Sequence, residues 1–351
     1  MKKLLLASVA VSGLAFAAPA HAEIDLELGG YFKGYGVFVD QDEATGTDVN
    51  TFDFVKDTEL HFGGETTLDN GLTVGFHLEF DVDKADDNAS IDESYLYFSG
   101  DWGRVNFGDE DGAAYLLQVA APSADSNIDG IRQYVQPFSA TVVGGSTTDT
   151  IRLDYDVAPT GKDTKLTYLS PIMSGFQIGA TFAPDADAAS DLAGAGIEEN
   201  GINEQYEIAV RYEGQVQNVG VIAGAGYSHG ENDGTGANDE DRQVWNLGLD
   251  LDIGPFGVGA AYVADNNATD NDDTDIIVLG VDYTTGPFKV GATYYNNDTD
   301  NGTEYDRYTA GVTYEYGPGM SFRGSIQHLE ADTTGTDYDG TALLLGTQVN
   351  F

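Results

Sequence analysis

The sequence predicts an all-β chain closing into a transmembrane antiparallel up-and-down barrel of about sixteen strands. Three observations carry that prediction. Residues 341–351 read TALLLGTQVNF, with Leu343, Leu345, Thr347, Val349 and Phe351 on one side of a strand and Ala342, Leu344, Gly346, Gln348 and Asn350 on the other. An edge strand ending on an outward aromatic would invite aggregation, unless its edge pairs within the same sheet and its apolar side faces lipid. On this segment alone, the last strand of a soluble sandwich is the competing reading. Second, tight turns alternate with long acidic loops along the chain. Third, when each strand's register is fixed by its apolar members, Lys33, Arg104, Lys165, Arg211, Arg242, Lys289, Arg307 and Arg323 all fall on the polar side. Only Lys56 breaks the pattern, at a loop junction where a lysine can snorkel. A basic side chain on lipid at mid-bilayer costs ~2–4 kcal/mol, so a membrane would enforce this sorting.

The chain opens on a basic Met1-Lys2-Lys3, an apolar run from Leu4 to Ala18 and a small-residue pattern at Ala20-His21-Ala22. That is the grammar of an export signal, predicted as residues 1–22 and removed, leaving one barrel domain over 23–351. Past it, no apolar run approaches the ~20 residues of a membrane helix. With no cysteine, the exported chain must draw its stability from secondary structure and closure. No proline-rich or low-complexity linker interrupts the strand grammar, so one domain is expected.

Period-two alternation places strands at 24–39, 56–68, 72–83, 91–99, 104–109, 163–170, 175–184, 204–214, 218–229, 242–254, 256–264, 275–285, 287–296, 305–316, 319–330 and 341–351. Within 72–82, Leu72, Val74, Phe76, Leu78, Phe80 and Val82 oppose Thr73, Gly75, His77, Glu79 and Asp81. Tight turns are expected at Asp69-Asn70-Gly71, 100–103, Gly254-Pro255, Gly286 and Gly317-Pro318. Long acidic loops fall at 40–55, 84–90, 185–203, 230–241, 265–274, 297–304 and 331–340, all on the opposite rim. Residues 110–162 form the longest connection, and a loop beyond ~12–15 residues is usually functional or disordered. Within it Ala113 to Val119 suits a short wall-packed helix. Ile151, Leu153 and Tyr155 alternate with polar residues, so 149–157 reads equally as strand or loop.

Alternation does not say which face points inward. Volume decides: a closed sheet of about sixteen strands is too wide for side chains to fill, so the polar face lines an aqueous channel. Acidic residues outnumber basic ones 59 to 15. Such a field repels nucleic acid and attracts cations, although a solvated, salt-adapted surface accounts for much of it.

The chain resembles the general porins of Gram-negative bacteria, particularly the sixteen-stranded alphaproteobacterial kind. The carriers are residues 94–109, SYLYFSGDWGRVNFGD, and 166–182, LTYLSPIMSGFQIGATF, in that order and with the terminal Phe351. The resemblance covers essentially the whole mature chain. It implies an outer-membrane homotrimer embedded in lipid and lipopolysaccharide, with the assembly machinery reading the strand that ends on Phe351. It also implies a third loop, 110–162, folded into the lumen as the constriction, lined by Glu110, Asp111, Asp125 and Asp129 and faced by Lys33, Arg104 and Arg323. The chain departs from the family in lacking a dense arginine cluster on the early strands, which carry Glu59, His61, His77 and Glu79 instead; His77 and Glu79 are counted among the constriction candidates.

The function so implied is passive diffusion of small hydrophilic solutes and ions, with a cation preference. A substrate-selective porin is the runner-up, but no aromatic or basic ladder along the pore is evident. No Gly-x-Ser-x-Gly, His-Glu-x-x-His or phosphate-loop pattern appears, so no catalytic role is expected. A calcium-binding exported β protein or adhesin is a further alternative. It rests on Asp125, Asp129, Asp298 and Asp300, which lie near glycines without the full spacing of a calcium loop. Structural calcium is the only cofactor those residues suggest.

Overall fold

The computed structural model describes residues 24–43, 48–82, 90–124, 130–132, 135–139, 154–185, 202–232, 240–269, 272–333 and 336–351. Sixteen strands close into one antiparallel barrel in which each strand pairs with its sequence neighbours and the last pairs with the first. They are β1 (Asp25–Gln41), β2 (Phe52–Thr67), β3 (Thr73–Asp81), β4 (Ser90–Gly100), β5 (Gly103–Asp109), β6 (Thr164–Leu169), β7 (Phe176–Asp185) and β8 (Ile202–Val216). They continue as β9 (Val219–Asn232), β10 (Arg242–Ile253), β11 (Phe256–Asp265), β12 (Thr274–Thr285), β13 (Phe288–Thr299), β14 (Thr303–Gly317), β15 (Met320–Thr333) and β16 (Thr336–Asn350). The strand order expected from alternation holds throughout. Residues 154–158 lie outside the sheet, and β5 pairs directly with β6, so no strand is inserted between them.

The seam joins Tyr31 to Asn350 and runs to Gln41 opposite Gly340. Gly30 N donates to Phe351 O at 3.0 Å and Phe351 N donates to Gly30 O at 3.1 Å, so the terminal aromatic is held in the ladder. Its ring is exposed on the outer face with Leu343 and Leu345.

That outer face is apolar. Aromatic pairs near the short turns, among them Phe176–Tyr212, Phe256–Tyr283 and Phe288–Tyr314, form one belt. Phe182–Tyr206, Tyr227–Trp245 and Tyr294–Tyr308 form a second belt toward the other rim. Exposed aliphatic residues such as Ile208, Leu247, Leu279 and Val290 lie between them. Two aromatic girdles bounding an apolar band are the signature of a barrel in a bilayer.

Two expectations change. The loops at 297–304 and 331–340 are mostly strand, because Thr299 pairs with Thr303 and Thr333 with Thr336. Polar residues can extend a ladder above the bilayer, where alternation of apolar residues no longer marks it. Likewise β2 begins at Phe52, so Lys56 is its fifth residue and not a loop-junction residue. It lies opposite Gly34, on the outer face with Phe54 and Phe62.

Candidate functional site: the third loop and the wall it leaves open

The described parts of the connection from β5 to β6 pack on the inward faces of most of the barrel's strands. A one-turn helix, α1 (Ala113–Leu116), begins where the sequence predicts it. Ala113 N donates to Thr181 Oγ1 at 2.8 Å and Ala114 N to Glu207 Oε2 at 2.9 Å, while Thr160 Oγ1 donates to Glu207 Oε1 at 3.0 Å. Glu207 therefore points inward, but it is buried beneath the loop as an acceptor for the Ala114 amide and the Thr160 hydroxyl. A Cβ on Gly112 would stand 2.1 Å from that carboxylate, so any larger residue there would have to displace the Glu207 side chain from its hydrogen bonds.

Beyond α1 the loop lies flat against β9 to β14. A Cβ on Gly248 would meet Val119 O at 2.3 Å, and one on Gly280 would meet Pro122 O at 2.0 Å. Thr293 Oγ1 donates to Pro122 O at 3.4 Å and Thr313 Oγ1 to Ala124 O at 3.5 Å. The two limbs of the loop are clamped by Gln118, whose amide donates to Tyr155 O at 2.7 Å and accepts from Val157 N at 2.8 Å. Apolar inward residues finish the docking. Val135 and Phe138 pack with Val37, Val39, Leu329 and Leu344, while Ala114, Tyr155 and Val157 pack with Val244, Val263 and Val278.

β2 to β5 present a different wall. Many of their inward side chains are long, charged and half-buried, and these join the loop through one chain of charges. His61 Nε2 lies 3.2 Å from Glu59 Oε2 and 3.6 Å from Glu79 Oε2. His77 Nε2 lies 3.5 Å from the same Glu79 oxygen and 3.9 Å from Glu93 Oε2. Lys162 bridges Glu93 to the loop, pairing also with Asp111 Oδ2 at 2.8 Å. Arg132 continues the row, 3.7 Å from Asp111 and 3.1 Å from Asp156. Burial works against the Lys162 charge, yet Asp111 and Glu93 hold its ammonium above the usual lysine range.

The candidates from the sequence separate by position. Glu110 and Asp111 lie in the loop–wall junction, only 6% and 4% exposed. Asn106 donates to the Glu110 carboxylate and Lys165 to its backbone carbonyl. Burial, then the nearby Glu93 charge, pushes the Glu110 carboxyl up to about 7. His77 and Glu79 stand on the open wall. Arg104 is on the same wall, with its guanidinium 3.9 Å from the Tyr97 ring centroid and Nε donating to Asn106 Oδ1 at 2.6 Å. Lys33 is buried, its ammonium 4.2 Å from the Tyr31 ring, and Arg323 donates to Ser321 Oγ at 2.9 Å. Asp125 and Asp129 lie outside the described residues. Asp298 is in β13 and faces Asp275 and Glu304 on the adjoining strands, whereas Asp300 sits in the turn that follows.

A sequence model of the Gram-negative porin family matches residues 7–334. The chain belongs to the Gram-negative porin family. Like other members it is a channel protein of the outer membrane, not an enzyme. Solved porins share its fold. An anion-selective porin from Comamonas acidovorans is 17% identical, covering 94% of this chain and 100% of its own, with a TM-score of 0.65. OmpT of Vibrio cholerae, described in a trimer form, is 14% identical over 93% of this chain and 99% of its own, TM-score 0.62. A variant of the Rh. blastica porin is 19% identical over 93% and 100%, TM-score 0.57. No curated protein sequence matches significantly. Because one porin of this fold is anion-selective, ion preference has to be sought in this chain's own side chains.

Proposed function

We propose that this porin is a cation-preferring channel for passive diffusion of small hydrophilic solutes and ions, narrowed by its third loop. The carrying observation is the wall from β2 to β4, where Asp57, Glu59, Glu79, Asp81 and Glu93 face inward with His61 and His77, and the bases beside them are Lys33 opposite Asp57 and Lys162 against Glu93. Inward bases elsewhere are largely engaged. Arg242 pairs with Asp265 at 2.6 Å and Lys289 with Asp282 at 2.8 Å, while Lys165 is bound to the backbone carbonyls of Glu110 and Gly161. One-signed charge in a confined pore selects the opposite ion, and the low-dielectric surround focuses that field. A potassium chloride gradient across a planar bilayer should give a cation-selective reversal potential, steeper at low salt. An anion-selective potential would sink the reading. Replacing Asp125 and Asp129 by Asn should weaken the preference if both residues line the constriction.

Around this channel we place a secretory signal at 1–22, assembly through the strand ending on Phe351, and a homotrimer in lipid and lipopolysaccharide. Phe351→Asp should lower the yield of heat-modifiable trimer. Structural calcium is favoured at Asp298, because like charges directly opposite in a sheet destabilise it and Asp275 and Glu304 both face that residue. Removing calcium with a chelator should lower the melting temperature of the wild type more than that of Asp298→Asn; equal shifts would remove the site.

A further inference from the structure

Among the described residues, one set of three side chains offers ligand atoms mutually within 4.8 Å: His61, His77 and Glu79. We propose that these residues form a binding site for a zinc-class divalent metal ion in the open wall of the pore. His61 Nε2 and His77 Nε2 lie 3.6 and 3.5 Å from the same Glu79 oxygen. Two ligands of a tetrahedral zinc ion, with bonds of ~2.0–2.1 Å, stand about 3.4 Å apart; both Glu79 distances are close to that, and the two imidazoles offer ligand atoms within 4.8 Å of each other. A fourth position would be left for water; Glu59 Oε2 lies 3.2 Å from His61 Nε2 but outside the three-residue set.

The rings are already oriented. They meet each other edge-on at 5.6 Å between centroids, with Tyr31 flanking His61 and Tyr95 flanking His77. The ladder supplies a second, independent argument. Register sets Glu79 directly opposite Glu93 and Glu59 directly opposite Asp81. Like charges so placed destabilise a sheet, and a bound dication offsets that repulsion. Two imidazoles in the donor set select the metal: they suit zinc, copper or nickel, whereas calcium and magnesium take oxygen ligands.

An ion held here places two positive charges among the acids of the open wall, so it should reduce both cation conductance and cation preference. Only that electrical readout rests on the proposed cation-preferring channel; the site itself stands on cross-strand geometry. Tag-free full-length protein in detergent is titrated with zinc chloride by calorimetry, with calcium chloride as competitor, and the same protein is recorded in planar bilayers. One zinc per chain that excess calcium does not displace is expected, together with a fall in single-channel current. Loss of an outer partner of a metal ligand typically weakens binding ~10–100-fold. Loss of both imidazoles in His61→Asn/His77→Asn should cost at least ~10-fold. Glu79→Gln provides the same comparison should the double variant not reach the wild-type zinc-free conductance. The proposal is overturned if wild type binds no zinc, if calcium displaces it equally, or if the folded variant binds within twofold of wild type. A zinc-free channel without cation preference would instead refute the proposed selectivity and leave the calorimetric result standing.

Discussion

The arc from β7 to β13 and the arc from β2 to β5 have the same alternation, yet their inward faces do different work. On the first, glycine, alanine, threonine and valine leave room for the loop to lie against the backbone, and the loop takes their place as the inner surface. On the second, histidines, carboxylates and Arg104 project from the sheet and stay half-exposed. The lesson is that side-chain length on the inward face decides where a loop docks and therefore which residues meet solute. An inward-reading acid such as Glu207 contributes to docking, whereas Glu59, at an equivalent period-two position, stays on the wall beside His61.

The strongest way to break this contrast is to make the glycine arc resemble the charged one in bulk. In Gly280→Leu the first added carbon would stand 2.0 Å from the Pro122 carbonyl, and overpacking of this kind costs ~1–3 kcal/mol or more. The loop should leave the wall, raising single-channel conductance and opening 110–124 to protease. Gly254→Leu, in a turn with nothing within 4 Å, controls for bulk but also carries a positive φ. It should lower stability without enlarging the pore.

Next comes the proton on Glu110, whose carboxyl is raised from 4.5 to about 7. Below pH 4.5 both folded and unfolded states hold that proton. Between about 4.5 and 7 the unfolded state loses it first, so stability falls as pH rises through that window, by up to ~3 kcal/mol. Above 7 the loss is complete. Glu110→Gln should flatten that part of the melting-temperature profile in detergent; an unchanged slope would mean that the carboxyl is not shielded by the docked loop.

Lys162 is where the two arcs meet. Lys162→Met leaves Asp111 and Glu93 facing each other without their cation. Breaking a fully buried pair costs ~3–5 kcal/mol; with Lys162 22% exposed, roughly 2 kcal/mol is expected, read as a lower midpoint in denaturant. The smallest effect is on selectivity. Glu59→Gln should lower the cation-to-anion permeability ratio by about twofold, since solvent and salt screen a single charge. Glu207→Gln, under the loop, should leave the ratio unchanged even where it weakens docking.

The barrel was legible because a bilayer imposes alternation on every strand, and the sorting of Lys33, Arg211, Arg307 and the other bases repeats that constraint independently. The loop's docking was not. Val37, Val39, Ile276 and Val278 made the inward face of their strands apolar, a signal that something covers it, but period two names no partner. The His61–Glu79 adjacency follows from counting back from the Asp69-Asn70-Gly71 turn, where Thr67 meets Thr73. An error of one residue in that boundary sets His61 against a lipid-facing neighbour of Glu79 instead, so the cluster emerged only with the register. The early-strand departure from an arginine-rich pattern was visible in sequence; its meaning depended on which strands touch.

The seam between β1 and β16 also governs how the molecule comes together and comes apart. All fifteen other pairings join neighbours along the chain, but Tyr31 must find Asn350. Closing a loop of that length costs entropy that grows as (3/2)RT ln n, about 5 kcal/mol for ~320 residues, before the seam's bonds form. Contacts so distant in sequence slow folding, and until they form both edges of the sheet lie open to pairing with other chains. Once they form, no edge remains from which to unzip. Opening the finished barrel therefore means breaking a seam, so the rate of that opening contributes to its persistence alongside equilibrium stability.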